Sequence, residues 1–296
     1  MGQLENTQIF IRIVEAGGIG KAAEQLGLAK SAVSRRLTEL EESLGARLFQ
    51  RSTRVMRLTD AGQLYYARAL RIVDEFSELR SQLSGERREL SGRIRVAVPM
   101  SFALAHLHRI VADFVAQHPN IDLDIDLSDR QADLIRDGLD FAVRIGELVD
   151  SNLIARPLSR MSMHLCAAPD YVKKHGEPTS IDALRRHRLL KYLGSSGNQW
   201  TLYDEQGQAH SIGGPGHIVA NNGDFLCELA KAGRGIMLSP SFICRQALER
   251  GELLEVGRQW QGKRYQVYAV YPQNRHLNQR TQHFMDFLKQ QLPPDL

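Results

Sequence analysis

The chain has 296 residues, 43% of them hydrophobic and 24% charged, with a net charge of +4. It is long enough for two or three folded units with their own cores and too apolar for extended disorder, and no apolar run approaches the roughly 18 residues of a membrane span. Three widely spaced cysteines without a CxxC pair (Cys166, Cys227, Cys244) and a start lacking a basic-then-apolar leader imply a reducing cytoplasm, not a secreted disulfide scaffold.

A first helix is expected over residues 4–16, with Phe10, Ile13 and Val14 on its apolar side and Gly17-Gly18 at its end. An alanine-rich helix follows over 21–26 and breaks at Gly27, and a second opens at Lys30 and runs to Leu44-Gly45. In that second helix Val33, Leu37, Leu40 and Leu44 recur at helical period as one apolar stripe. Ser31, Ser34, Arg35 and Thr38 fall on another face. Two helices joined by a glycine turn, the second offering short hydroxyls and an arginine, have the layout of a helix-turn-helix reader. Serine and threonine approach a groove closely, and arginine reaches guanine edges or phosphates.

Gly18-Ile19-Gly20-Lys21-Ala22-Ala23 matches a GxGxxA dinucleotide fingerprint. A nucleotide-binding unit needs a longer helix and a second strand after it, whereas here the helix breaks at Gly27 after about two turns. That reading is rejected. Residues 51–58 are expected to make a small basic hairpin or wing with Arg54 near its tip, suited to a minor groove or a phosphate. From Lys30 to Arg57 there are seven basic residues against three acidic, which matches the whole formal excess of the chain. So focused a positive field suits a polyanion.

Thr59 is placed to cap a long helix in which Tyr65, Ala69, Ile72, Phe76, Leu79 and Leu83 alternate at spacings of four and three. This narrow seam predicts dimerisation, which would set two reading heads on one duplex. Residues 85–91 are polar and predict a hinge. Beyond Gly92 strands and helices alternate: a strand through Ile94, Val96 and Val98, a helix through Leu104 to Val115, a strand over 121–127, a helix over 132–136, and a strand over 141–145. A parallel sheet is expected, with ligands beyond its strand ends near Ser101-Phe102 and Arg144. Asp122, Asp124 and Asp126 share the polar face of one strand, and no metal site is assigned to them. Further strands over 161–168, 189–192, 200–203, 218–220, 235–240 and 267–271 alternate with helices over 169–175, 181–187, 225–230, 242–249 and 281–292, with a loop over 194–198.

The order of these parts resembles the LysR-type transcriptional regulators over essentially the full length. The resemblance rests on Ala22-Ala23-Glu24-Gln25-Leu26, Ser31-Ala32-Val33-Ser34-Arg35, Leu48-Phe49-Gln50-Arg51 and Leu58-Thr59-Asp60-Ala61-Gly62 at the front. Further on, Gly92-Arg93-Ile94-Arg95-Val96, residues 140–146 and residues 235–240 carry it. The resemblance implies an α/β chain with a winged helix-turn-helix (1–58), a linker and dimerisation helix with its hinge (59–91), and an effector domain (92–296). That domain would be of the two-lobed, periplasmic-binding-protein-like type 2 fold, with lobe one over 92–160 and 267–296 and lobe two over 161–266. It also implies a cytoplasmic, non-enzymatic regulator that binds promoter DNA as a dimer or dimer of dimers, needs no cofactor, and answers a small effector in the cleft. Ala29 departs from the family, which commonly has a capping Ser or Thr there. The lost cap is worth about 1 kcal/mol, so base reading rests more on Arg35 than on Lys30 and Ser31.

The expected DNA contacts are Lys30, Ser31, Ser34, Arg35 and Thr38 in the major groove, Arg36 and Arg51 on phosphates, and Arg54 at the wing. The expected effector contacts are Ser101, Phe102, Arg144, Asn221, Asn222 and Pro240, for a small carboxylate or aromatic, with Arg144 either a charge-assisted partner of the ligand or in a structural salt bridge to Asp140 or Asp150. Trp200 and Tyr192 are assigned to core packing and Cys227 to a buried helix face. An enzyme is opposed by the lack of GxSxG and HExxH motifs. A transported-solute receptor would need a leader and no basic front unit.

Overall fold

The computed structural model describes residues 2–50, 56–83, 90–130, 132–146, 152–193, 199–214, 216–273 and 277–296, with the side chains of 77, 78 and 80–83 excepted. Helices α1 (Gln3–Ala16), α2 (Ile19–Leu26) and α3 (Lys30–Leu44) close on a core in which Phe10, Ala22 and Val33 are fully buried. The turn between α2 and α3 needs Gly27, whose φ of 64° lies in the left-handed region that a side chain resists. Phe10 meets Phe49, Tyr65 and Tyr66 at ring centroid distances of 5.5, 5.3 and 6.3 Å, so one aromatic ring ties α1 to the wing base and to the next helix. The wing closes at its base, where Gln50 N–H donates to the Arg57 carbonyl at 2.8 Å beside the Phe49–Leu58 bridge.

Helix α4 (Asp60–Leu83) begins where the Thr59 hydroxyl accepts Gly62 N–H at 3.0 Å, as a capping threonine does. Its 24 residues span about 36 Å. The seam expected along it divides in two. Ala69 is buried and Tyr65 half-buried in the helix-turn-helix core, and the Tyr65 hydroxyl lies 2.7 Å from that of Thr7. Ile72, Phe76 and Leu79, in contrast, are 56%, 42% and 51% exposed. Leu83 falls among the undescribed side chains.

The first sheet has the order β2 (Ile121–Leu127), β1 (Gly92–Val98), β3 (Phe141–Gly146), β13 (Tyr265–Pro272), β4 (Leu153–Met161). It is mixed, not parallel throughout: β1 runs parallel to β2 and β3, while β13 is antiparallel to β3 and β4. A short α5 (Met100–Phe102), a π-helical turn (Ala103–Leu107), α6 (His108–Gln117) and α11 (Gln279–Gln291) accompany it, and Phe114 and Phe284 pack at 4.6 Å in its core. The helix expected over 132–136 is a single turn held by Asp133, whose carboxylate accepts the N–H groups of Ile135 and Arg136.

The second sheet has the order β11 (Leu254–Glu255), β5 (Met163–Ala167), β10 (Ile236–Pro240), β6 (Leu189–Tyr192), β9 (Ile218–Ala220). Around it lie α7 (Pro169–His175), α8 (Ile181–Arg186), α9 (Gly223–Lys231) and α10 (Ser241–Glu249), with a small sheet of β12 (Gln261–Gly262), β7 (Trp200–Tyr203) and β8 (Ala209–Ile212). The chain leaves the first sheet after Met161 and returns to it at Tyr265, and these two residues are paired in register, so both crossings lie side by side.

Charged contacts fasten α4 and α1 to the first lobe. Asp74 lies 3.0 Å from Arg280, Glu15 lies 2.8 Å from Arg93, and the Arg71 guanidinium donates to the Leu134 carbonyl at 2.9 Å. Among the described residues no helix is long and apolar enough to cross a membrane.

Candidate functional site

Burial of Val33, Leu37 and Leu40 turns the opposite side of α3 outward. Lys30, Ser31, Ser34, Arg35 and Thr38 are all exposed there. The Arg35 side chain keeps 76% exposure and sits 3.7 Å from Glu39 one turn on, a contact that water and salt weaken. The Thr38 hydroxyl donates back to the Ser34 carbonyl at 3.1 Å. Helix α3 starts after Ala29 with no side-chain cap, as the sequence implies. Arg51 and Arg54 lie outside the described residues.

Arg36 corrects its expected role. Its side chain is only 14% exposed and points to Glu5 at 3.4 Å, away from the outward face. With Glu5, Arg12, Glu15, Asp74 and Arg93 it lines a cavity of about 570 Å³ between the helix-turn-helix and the first sheet. A residue that sequence reasoning missed is Glu41. Buried beneath the wing, it accepts Leu48 N–H at 2.7 Å and Phe49 N–H at 3.3 Å and pairs with Arg47 at 2.8 Å. It therefore fixes where the wing departs from α3.

The second site lies where the two lobes face each other. Ser101 in α5 donates its hydroxyl to Asp224 at 2.5 Å, bridging lobe one to the first turn of α9 in lobe two. Asn222 caps α9, its side-chain oxygen accepting Phe225 N–H at 2.9 Å. Its amide then reaches Asp129, in the loop after β2, and Asp129 also accepts Met100 N–H at 3.2 Å. Burial lifts the Asp129 carboxyl above its ordinary range and nearby Asp224 adds to this, against the Met100 and Asn222 hydrogen bonds. Tyr192, at the end of β6, is 38% exposed, and burial of its hydroxyl together with the Asp129 charge pushes its pKa up to about 12.

Ser101 and Asn222 are thus brought together, and Asp129, Asp224 and Tyr192 join them. The other candidates lie differently. Phe102 is fully buried, with its ring 5.9 Å from Phe242 and 5.3 Å from His106, so it packs beneath the cleft instead of lining it. The Arg144 guanidinium donates to the Ala132 carbonyl at 3.2 Å, and burial lowers its pKa. Asn221 is exposed beyond β9, and half-buried Pro240 ends β10 with its carbonyl accepting the Cys244 thiol at 3.4 Å. Trp200 is buried as expected, with the Lys191 ammonium 5.7 Å from its ring. Tyr192 is not core, because β6 ends at the cleft. Cys227 is buried, and burial pushes its thiol up to about 12. Among the described residues no three metal-ligating side chains converge. Asp124 and Asp126 instead lie 3.8 Å from Arg95 and 3.5 Å from Arg130.

Residues 4–63 match the family model of the bacterial regulatory helix-turn-helix proteins of the lysR family, and residues 87–293 match that of the LysR substrate binding domain. The transcriptional regulator CrgA of Neisseria meningitidis serogroup C is 34% identical over 294 residues, covering 99% of this chain and 98% of its own. A solved structure of Neisseria meningitidis CrgA superposes with a TM-score of 0.60, covering 97% of each chain. The full-length structure of the virulence activator AphB of Vibrio cholerae does so with a TM-score of 0.61 at 28% identity, over 99% of this chain and 100% of that one.

Proposed function

As this chain belongs to the LysR-type transcriptional regulators, DNA-binding proteins whose action is modulated by a small effector, we propose that α3 reads promoter DNA while the inter-lobe cleft takes the effector. Lys30, Ser31, Ser34, Arg35 and Thr38 enter the major groove, with Arg51 and Arg54 on the backbone or in the minor groove. The observation that carries this reading is the outward face of α3. Five polar residues stand exposed on one side of a helix whose other side is fully committed to the core.

Ser101 and Asn222, one from each lobe, are the effector contacts this reading keeps, with Asp129, Asp224 and Tyr192 beside them. The exposed Ile72, Phe76 and Leu79 pair α4 with a second copy, and two such dimers form the tetramer. The protein acts in the cytoplasm and performs no catalysis.

Fluorescence anisotropy with fragments of the promoter beside its own gene, at fixed salt, tests the proposal. Arg35→Ala is expected to weaken specific binding by about 1–3 kcal/mol with the circular dichroism spectrum unchanged. Equal affinity of wild type and variant for operator and random DNA would remove α3 as the reader.

A further inference from the structure

Two carboxylates from opposite lobes, Asp129 and Asp224, lie near enough in the cleft for their charges to interact, and the hydrogen bonds they accept come from neutral donors: Met100 N–H, the Asn222 amide and the Ser101 hydroxyl. Among the described residues neither pairs with a lysine or an arginine. Elsewhere in the molecule acidic residues do pair with arginine, as Asp74 with Arg280, Asp126 with Arg130, and Asp182 with Arg185. Arg144, the arginine expected at the ligand, donates to the Ala132 carbonyl, and Arg130, next to Asp129 in the chain, lies against Asp126 and Asp137. The Met100 N–H at the start of α5, which would favour an anionic ligand, already holds the Asp129 carboxylate.

We infer that the effector is a small organic cation, an amine or guanidinium on an apolar body, held between Asp129 and Asp224. This rests on the cleft being the effector site and adds its charge preference. An ammonium there gains charge-assisted hydrogen bonds to two carboxylates that now accept only from neutral groups, and it relieves their mutual repulsion. A carboxylate ligand would add a third negative charge beside the partly desolvated Asp129. The body of the ligand meets the Tyr192 ring, 38% exposed, which suits a cation at its face; Leu193, next to Tyr192 in the chain, and Phe225, next to Asp224, are 56% and 54% exposed. In taking the cation Asp224 releases the Ser101 hydroxyl, so binding alters a lobe-to-lobe contact.

Calorimetric titration of the full chain with matched triplets on one skeleton tests this: benzylamine, benzyl alcohol and benzoate, then 1,4-diaminobutane, 1,4-butanediol and succinate. Amines are expected to bind more tightly than their alcohols and carboxylates. The double variant Asp129→Asn with Asp224→Asn, which keeps the side-chain shapes, is expected to lose about tenfold or more in amine affinity. Carboxylates binding better than amines, no heat from either amine at millimolar concentration, or an unchanged amine affinity in the double variant would each overturn the inference. A plugged cleft separates this from failure of the underlying reading. If Ser101→Trp, or Asn222→Leu should the first not fold, leaves ligand affinity unaltered, the site is not the cleft, whatever charge it prefers.

Discussion

The outward face of α3 and the inter-lobe cleft use similar side chains in opposite electrostatic settings. On α3 the Arg35 side chain is 76% exposed and lies 3.7 Å from Glu39, so water and ions screen it. In the cleft Asp129 is partly desolvated, bonded to a backbone N–H and an amide, and shifted in its titration. A solvated charge contributes by releasing counterions when it meets a polyanion, and its effect falls steeply with salt. A desolvated charge selects one partner at close range and is much less sensitive to salt. The two regions therefore answer to different variables, salt for one and pH for the other.

The largest expected effect concerns what doubles the first region. Ile72→Glu combined with Phe76→Glu places two charges on the exposed apolar turn of α4 without touching the core that Tyr65 and Ala69 share with α1. Sedimentation is expected to show the assembly dissociating. Operator affinity should fall by orders of magnitude with it, because each half-site is then bound without the benefit of its neighbour. An intact dimer in this variant would move the interface off α4.

Next in size is the pH dependence of the cleft. Because burial raises the Asp129 pKa, the folded chain holds that proton more tightly than the unfolded chain does. Its contribution to stability is then present below the ordinary aspartate range and is lost as pH rises through the raised value. A bound cation offsets that loss. Amine affinity is therefore expected to fall by about tenfold as pH is lowered from neutral through the carboxylate range, while a matched alcohol changes little. A flat amine profile in wild type and Asp129→Asn alike would detach Asp129 from the ligand.

The same contrast explains what could be read in the sequence. The α3 face was legible because a helix writes its geometry locally, and Val33, Leu37 and Leu40 at helical spacing fix which residues point outward. Arg36 escaped that reading because its partner, Glu5, is on another helix. The cleft was half legible. Strand ends pointed to Ser101 and Asn222, but Asp224 meets Ser101 across 123 residues and no local period encodes that distance. Strand β4 went unread since it carries Pro157 and two arginines, and it occupies the edge of its sheet, the place where proline is tolerated. Residues 132–136 have helical spacing, yet the capping Asp133 starts a turn that Gly138, at φ 68°, ends at once.

Ala29→Ser sharpens the comparison at the level of about 1 kcal/mol. Helix α3 begins with no side-chain hydrogen bond to its first turn, and a serine there gives an acceptor to a first-turn N–H. Chemical denaturation of the helix-turn-helix is expected to shift by that amount, with the effect on DNA arising through a better ordered Lys30 and Ser31. Stability unchanged within error would mean that other groups already satisfy those N–H donors.

The smallest effect is predicted for Arg36, and it separates a charge that meets DNA from one spent within the protein. Arg35 and Arg36 are adjacent, carry the same charge, and differ in side-chain exposure, 76% against 14%. If exposure decides which of them faces the polyanion, Arg35→Ala lowers the salt slope of operator binding by about one ion while Arg36→Ala leaves it unaltered. The cost of Arg36→Ala then appears only in stability. That cost includes the packing of a side chain only 14% exposed as well as the Glu5 contact. Slopes measured for both variants between low and physiological salt decide the matter, and a reduced slope for Arg36→Ala would return that residue to the phosphate backbone.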